Sequence, residues 1–172
     1  ERVELIDGVI YDMAAPTDKH QIISDEIQSR FRDYIRKNKG KCITITAPLD
    51  VQLDCDDETM VQPDVVIVCD RNKFKEGRVF GAPDLVVEVL SESTRKKDIV
   101  IKGAKYSNAG VREFWLVDPK KKRVHVYLYE QDELPTMYTF EHKVPVGIWN
   151  NECEVDFAEI YEYMSFLYEE EE

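Results

Sequence analysis

The sequence predicts an α/β fold in which a mixed central β-sheet is flanked by helices. The predicted elements run in the order hairpin, helix, three strands, helix, two strands, and this order disfavours an all-β barrel. The length of 172 residues suits one domain, and a hydrophobic fraction of 43% is that of an ordinary globular protein. We therefore expect residues 1–172 to form a single domain.

The first elements are a hairpin and a helix. Asp7-Gly8 interrupts an alternating apolar pattern over residues 4–13, which is a common hairpin signal. Thr17 is a suitable N-cap for a helix that we expect to reach about Lys37. Its apolar stripe, at helical spacing, consists of Ile23, Ile27, Phe31 and Tyr34.

The remaining elements are mostly strands. Strand-like runs cover residues 42–53, 64–68 and 85–90, then 113–117 and 123–129, with a possible strand at 137–142. Residues 71–81 are predicted to be a charged loop. Ser93 or Thr94 can cap a second helix that ends before Ala109-Gly110, and a short helix is expected near residues 155–168.

Charge is distributed unevenly along the chain. The net charge is −12, but residues 1–129 contain 22 acidic and 22 basic residues, so the whole excess lies after residue 129. The acidic total therefore gives no argument for or against a nucleic-acid partner of the neutral part. A tail of this kind is either a solvated end or a segment that repels DNA.

The four cysteines include no Cys-x-x-Cys pair, which favours free thiols over a disulfide framework or a zinc site. No apolar run is long enough to span a bilayer, and no secretory signal opens the sequence. We accordingly expect a cytoplasmic protein without a membrane association.

Glu88 is the residue that most strongly indicates chemistry. The run of residues 85–90 is apolar at both parities, which is typical of a central strand covered on both faces. A carboxylate buried there needs an ion-pair partner, a proton or a metal ion. The sequence leaves two explanations open, a structural salt bridge to Lys102 or Lys105, or a catalytic role.

Asp64 enters a second apolar strand just after Pro63. If the two strands lie side by side, its carboxylate and that of Glu88 can converge, and oxygen ligands favour Mg²⁺ or Mn²⁺. In the following helix Asp98, Lys102 and Tyr106 recur every four residues. Two interpretations stay open. Asp98 and Lys102 form an ordinary surface ion pair, or Lys102 points over the sheet to the metal site.

Several of these segments, in this order, resemble the Uma-two family of restriction endonucleases in the PD-(D/E)XK nuclease superfamily. The resemblance spans about residues 3–130 and leaves an acidic extension at 131–172. It rests on Glu4-Leu5-Ile6-Asp7-Gly8, His20, Gln62-Pro63-Asp64-Val65, residues 82–91, Ser93-Thr94, Asp98, Lys102, Tyr106 and residues 110–119.

The resemblance implies a restriction-endonuclease-like core, Mg²⁺ at Asp64 and Glu88, and the carbonyl of Val89 as a third ligand. The superfamily's usual lysine two positions after the glutamate is Leu90 here. In this family the lysine is supplied by the next helix, which corresponds to Lys102.

The function expected is metal-dependent hydrolysis of DNA, with Asp64, Glu88 and Lys102 as the catalytic residues. The alternative is a catalytically silent module that acts by self-association or partner binding. A homodimer is expected because cutting both strands of a duplex needs two sites. The accessory candidates are His20, Asp84, Asp98 and Tyr106.

Overall fold

In the computed structural model, which describes residues 2–92, 95 and 97–169, the strands form two six-stranded sheets and a two-stranded ribbon. In chain order the strands are β1 (Val3–Ile6), β2 (Val9–Asp12), β3 (Ile43–Thr46), β4 (Val51–Gln52), β5 (Met60–Val61), β6 (Val65–Val68), β7 (Phe74–Lys75), β8 (Arg78–Phe80), β9 (Leu85–Val89), β10 (Glu113–Asp118), β11 (Arg123–Leu128), β12 (Thr136–Thr139), β13 (Lys143–Pro145) and β14 (Glu154–Asp156). The helices are α1 (Asp18–Lys37), a π-helix (Lys97–Lys102), α2 (Gly103–Ala109), α3 (Phe157–Met164) and α4 (Phe166–Glu169). Short 3₁₀ turns lie at Arg71–Lys73, Tyr129–Gln131 and Gly147–Trp149.

The central sheet has the strand order β12-β11-β10-β9-β6-β3, with β9 and β10 parallel and the other neighbours antiparallel. This is the predicted mixed sheet. All five residues of β9 are buried, as the apolar run indicated. One face, through Leu85 and Val87, packs against Ile23, Ile27 and Phe31 of α1.

A second sheet was not predicted. Its order is β2-β1-β5-β4-β8-β7, and it covers the other face of the central sheet. The predicted strand at residues 42–53 is divided between the two sheets, because Pro48 has no amide hydrogen to continue the ladder. The predicted charged loop at 71–81 contains the β7–β8 hairpin, turned by Glu76 and Gly77 at positive φ.

The helix predicted before Asn108 is also built differently. Residues 97–102 form a π-helix, and α2 follows with Gly110 in the left-handed conformation as its C-cap. The two predicted N-caps, Ser93 and Thr94, lie outside the described residues. No helix in the described part of the chain is long and apolar enough to cross a membrane.

The acidic segment after residue 130 belongs to the core. Its Phe157 packs against Trp115 and its Trp149 against Phe31, and Glu113 accepts hydrogen bonds from the amides of Gly147 (3.1 Å) and Ile148 (2.8 Å). The buried side chains that it contributes are Phe140, Val144, Val146, Cys153, Val155, Phe157, Ile160 and Met164. The segment is therefore acidic on its surface and apolar inside.

The prediction of four free thiols is wrong for two of them. Cys42 and Cys69 form a disulfide, while Cys55 and Cys153 are free. The two bonded residues are 27 positions apart, but they come one step beyond the Ile43–Val68 pair of the antiparallel β3–β6 ladder. Strand pairing that the spacing does not reveal brings them face to face.

Candidate active site

A cleft of about 460 Å³ opens where the central sheet, the second sheet, the N-terminal end of α1 and the π-helix meet. Such a volume is in the range of small-molecule sites, so it would hold a nucleotide-sized group rather than the width of a duplex. Its charged lining comes from four different elements and includes Arg2, Glu4, His20, Asp25, Asp64, Glu88, Lys97, Asp98 and Lys102.

Asp64 and Glu88 lie in this cleft on neighbouring strands. The β6–β9 ladder pairs Val65 with Val87, so the next antiparallel position sets Asp64 opposite Glu88. Directly opposed residues in a sheet project to the same face. The two carboxylates therefore lie on the same side of the molecule.

Asp64 is held by two neighbours. Its Oδ2 accepts a hydrogen bond from the Val89 amide at 2.7 Å and lies 3.1 Å from His20 Nε2. Thr17 caps α1 through the amide of His20, which brings the ring to the cleft at the first turn of the helix. His20 therefore orients Asp64, while its buried Nδ1 has no hydrogen-bond partner among the described residues.

Glu88 is almost fully buried and contacts two side chains of the following helical segment, Lys102 and Tyr106. Its Oε1 lies 2.5 Å from Lys102 Nζ and accepts a short hydrogen bond from the Tyr106 hydroxyl. Burial raises the pKa of Glu88 well above its usual value. The nearby ammonium of Lys102 acts in the other direction, and the charges of Asp64, Asp98 and Glu4 raise the pKa further. The site thus has more negative charge than its own lysines neutralise.

Lys102 is the central cation of the cleft. Besides Glu88, its Nζ lies 2.9 Å from Glu4 Oε1 and 3.7 Å from Asp98 Oδ1, and only 2% of its side chain is exposed. Burial alone would lower the pKa of Lys102, but the carboxylates of Glu88 and Glu4 raise it above its ordinary value. Lys102 stays charged, so the salt bridge from Glu88 to Lys102, one of the two explanations that the sequence left open, is present.

The structure does not bring every predicted residue to the cleft. Asp84 lies four residues before Glu88, about 13 Å along the strand. Its carboxylate accepts from the Cys69 amide at 2.7 Å and contacts Arg112 at 3.4 Å. These contacts fix the start of β9. They correspond to a structural role for Asp84 instead of the accessory role that was predicted for it. Tyr106 reaches Glu88 from the protein interior and does not line the cleft.

Comparison with known proteins agrees with this architecture. A model of the Uma2 family, described as "Putative restriction endonuclease", matches residues 1–146. The chain belongs to the Uma2 family. A crystal structure of a putative nuclease belonging to DUF820 from Anabaena variabilis ATCC 29413 superposes with a TM-score of 0.77 over 94% of this chain and 90% of that one, at 20% identity. That likeness shows a shared fold.

A relative known by sequence is the uncharacterized protein slr1290 of Synechocystis sp. (strain ATCC 27184 / PCC 6803 / Kazusa). It is 29% identical to this Uma2 protein over 136 residues, which are 77% of this chain and 68% of the relative.

Two functional candidates in this Uma2 protein escaped the sequence analysis, Glu4 and Lys97. The side chain of Glu4 is fully buried and contacts both Lys97 (2.7 Å) and Lys102 (2.9 Å). A signal was available for Glu4, since in the alternating strand β1 it shares the inward parity of Ile6. The sequence contains no such signal for Lys97, because in an α-helix Lys97 and Lys102 would lie on different sides of the helix.

The charge of the cleft fits a divalent cation. Carboxylates of Glu4, Asp64, Glu88 and Asp98 face the ammonium groups of Lys97 and Lys102, which leaves two negative charges if all are ionised. Within the described residues, no three His, Cys, Asp or Glu side chains converge as a metal site. Mg²⁺ needs no such cage, because it commonly binds one or two carboxylates and keeps several waters. The residues present therefore suit Mg²⁺ or Mn²⁺.

The raised pKa of Glu88 predicts a pH effect on stability in the absence of divalent ions. Because the folded-state pKa lies above the ordinary value of 4.5, ionising Glu88 costs the folded state free energy as the pH rises past 4.5. The free energy of unfolding of the wild type should then fall relative to that of Glu88→Gln as the pH rises from 4.5 towards neutral. Urea titrations in EDTA would measure this difference. A difference that does not change with pH would contradict the pKa direction.

Proposed function

We propose that this protein is a divalent-metal-dependent endonuclease that hydrolyses DNA phosphodiester bonds in the cleft. The observation that carries the proposal is that Asp64, directly before β6, and Glu88, in the adjacent strand β9, line the same cleft, with the Lys102 ammonium 2.5 Å from Glu88. Membership of a family described as "Putative restriction endonuclease" supports the reaction class. DNA as the substrate rests on that description and on the resemblance of the motifs.

Each residue has a chemical role in this proposal. Asp64 and Glu88 would hold Mg²⁺ or Mn²⁺, with the Val89 carbonyl as a third ligand, and the bound ion would polarise the phosphate and activate water. Lys102 neutralises negative charge that develops on the phosphate. His20 holds Asp64 in orientation through their 3.1 Å contact, and Asp98 pairs with Lys102 from the same helical segment.

A second candidate is a nuclease fold that has lost catalysis and works by self-association or partner binding. The direct Lys102–Glu88 contact favours it, because an ammonium already occupies one oxygen of the proposed metal ligand. The two candidates differ in cation affinity, since a silent module gains nothing from keeping a divalent-ion site.

The decisive experiment combines calorimetry with plasmid nicking. The purified protein should bind Mg²⁺ or Mn²⁺ and convert supercoiled plasmid to the open-circular form, and excess EDTA should stop the conversion. An RNA transcript incubated in parallel tests the preference for DNA. Absence of both cation binding and cleavage would refute the nuclease proposal and favour the silent module. Cation binding without cleavage of either nucleic acid would also refute the nuclease proposal, but it would not favour the silent module. Sedimentation of the same sample tests the expected homodimer.

A further inference from the structure

Glu4 joins three parts of the cleft. Its Oε1 accepts hydrogen bonds from the Gln62 amide and from Lys102 Nζ, both at 2.9 Å, and its Oε2 accepts one from Lys97 Nζ at 2.7 Å. Burial alone would raise the pKa of Glu4, but the charges and hydrogen bonds of the two lysines lower it below its ordinary value. A buried carboxylate from the second sheet is therefore kept ionised between two ammonium groups.

The π-helix explains how one carboxylate reaches both lysines. In an α-helix, residues five positions apart are separated by about 140° around the axis. The i→i+5 hydrogen bonding of a π-helix brings such residues to one side. Lys97 and Lys102 are the first and last residues of the π-helix, and both contact Glu4. The wider turn thus creates a pair of cations on one wall of the cleft.

We propose that Glu4 is a positioning residue of this site. It holds Lys102 beside the metal-binding carboxylates and holds Lys97 at the cleft wall, where that ammonium can contact a phosphate oxygen of the DNA. This inference rests on the proposed nuclease function, and it assigns roles to Glu4 and Lys97 that the reaction class alone does not provide.

The positions of the charges around Lys102 support a positioning role for Glu4. Glu88 cannot be the sole anchor of Lys102, since its negative charge is shared once a cation is bound there. Glu4 belongs to the second sheet, and apart from the two lysines its carboxylate accepts a hydrogen bond from the Gln62 amide. It therefore keeps an anion beside Lys102 that does not depend on Glu88. Lys97 is the more exposed of the two lysines, 11% against 2%, which suits a contact with substrate.

The test replaces Glu4 by glutamine and uses Glu113→Gln as a matched control. Glu113 is equally buried, at the far end of β10, and is bonded to Trp115, Gly147 and Ile148. Glu4→Gln should lower kcat for nicking about 10- to 100-fold because Lys102 loses its anchor. It should raise KM for the plasmid no more than Lys97→Met does, because Lys97 is released but still present. Glu113→Gln should leave kcat unchanged in the fraction of the protein that is folded.

A structural measurement makes the test independent of activity. Ammonium protons that are buried and hydrogen-bonded exchange slowly with water, so Lys97 and Lys102 should both give protected ¹⁵N–¹H side-chain signals. Glu4→Gln should shift or remove both signals, and Glu113→Gln should leave them in place. If Glu4→Gln fails to fold, Lys97→Met decides. It removes a less buried side chain and should raise KM for DNA at least threefold with kcat nearly constant.

The outcomes separate the two proposals. A wild-type protein that binds no cation and cleaves nothing refutes the nuclease, and the ammonium signals still show whether Glu4 positions the lysines. Wild-type nicking with full activity in Glu4→Gln, or with unchanged lysine signals, overturns the role of Glu4. An unchanged KM in Lys97→Met overturns the phosphate contact.

Discussion

Glu88→Gln is expected to reduce plasmid nicking by at least about 100-fold and to abolish calorimetric binding of Mg²⁺ or Mn²⁺. Substituting groups that only support a metal ligand commonly costs 10- to 100-fold, so loss of a ligand itself should cost no less. Glutamine has nearly the same shape and can still accept the hydrogen bond of Tyr106, but it lacks the charge. Asp64→Asn should have a comparable effect, because Asp64 and Glu88 line the same cleft at adjacent ends of β6 and β9.

Asp84→Asn is the matched control for this experiment. It removes a carboxylate from the same strand region as Glu88, but one that contacts Cys69 and Arg112 outside the cleft. Its nicking rate and cation affinity should stay within about twofold of the wild type. Nicking that survives in both Glu88→Gln and Asp64→Asn would show that the activity arises elsewhere or from a contaminant, and the proposed site would have to be abandoned.

Truncation after Tyr129 is expected to prevent folding. Deleting the acidic segment would be a direct test of the hypothesis that it repels DNA, but the segment contributes eight buried side chains to the core beside the central sheet. Burying each large apolar side chain contributes about 1.5–3 kcal/mol. For the seven large apolar side chains among the eight the total is about 10–20 kcal/mol, which matches or exceeds the stability of about 5–15 kcal/mol that a typical domain possesses.

Circular dichroism and urea titration would measure this effect. A truncation after Glu169 is the control, since it removes three acidic residues and keeps all eight of these buried side chains, and its free energy of unfolding should match the wild type. A cooperative unfolding transition in the protein truncated after Tyr129 would show that the domain ends earlier than its buried contacts indicate. The electrostatic role of the tail is better tested by neutralising exposed acids such as Glu152 and Glu154.

The sequence was most informative where a single residue contradicted its surroundings. Glu88 in an apolar strand indicated a buried carboxylate, and the structure places it there. The hairpin at Asp7-Gly8 and the helix from Asp18 were predicted for equally local reasons, turn chemistry and an N-cap.

Features that depend on distant pairing escaped prediction. The Cys42–Cys69 disulfide exists because β3 and β6 pair, and nothing in a spacing of 27 residues reveals that. The strands that the second sheet adds to the predicted hairpin, β4, β5, β7 and β8, have only two or three residues each, too short for periodicity to detect. The contact of Lys97 with Glu4 requires a π-helix, whereas an α-helical reading of the same residues separates Lys97 from Lys102.

The position of Glu4 on β1 has a consequence for dynamics. Glu88 lies in a fully buried strand of the central sheet, but its partner Lys102 also contacts Glu4, which belongs to a hairpin at the edge of the second sheet whose outer strand β2 is largely exposed. Such a hairpin can detach in a subglobal opening that leaves the rest of the protein folded. Opening of this edge hairpin would release Lys97 and Lys102 from Glu4, so hydrogen exchange at Val3–Ile6 should report how often the proposed site is intact in a folded molecule.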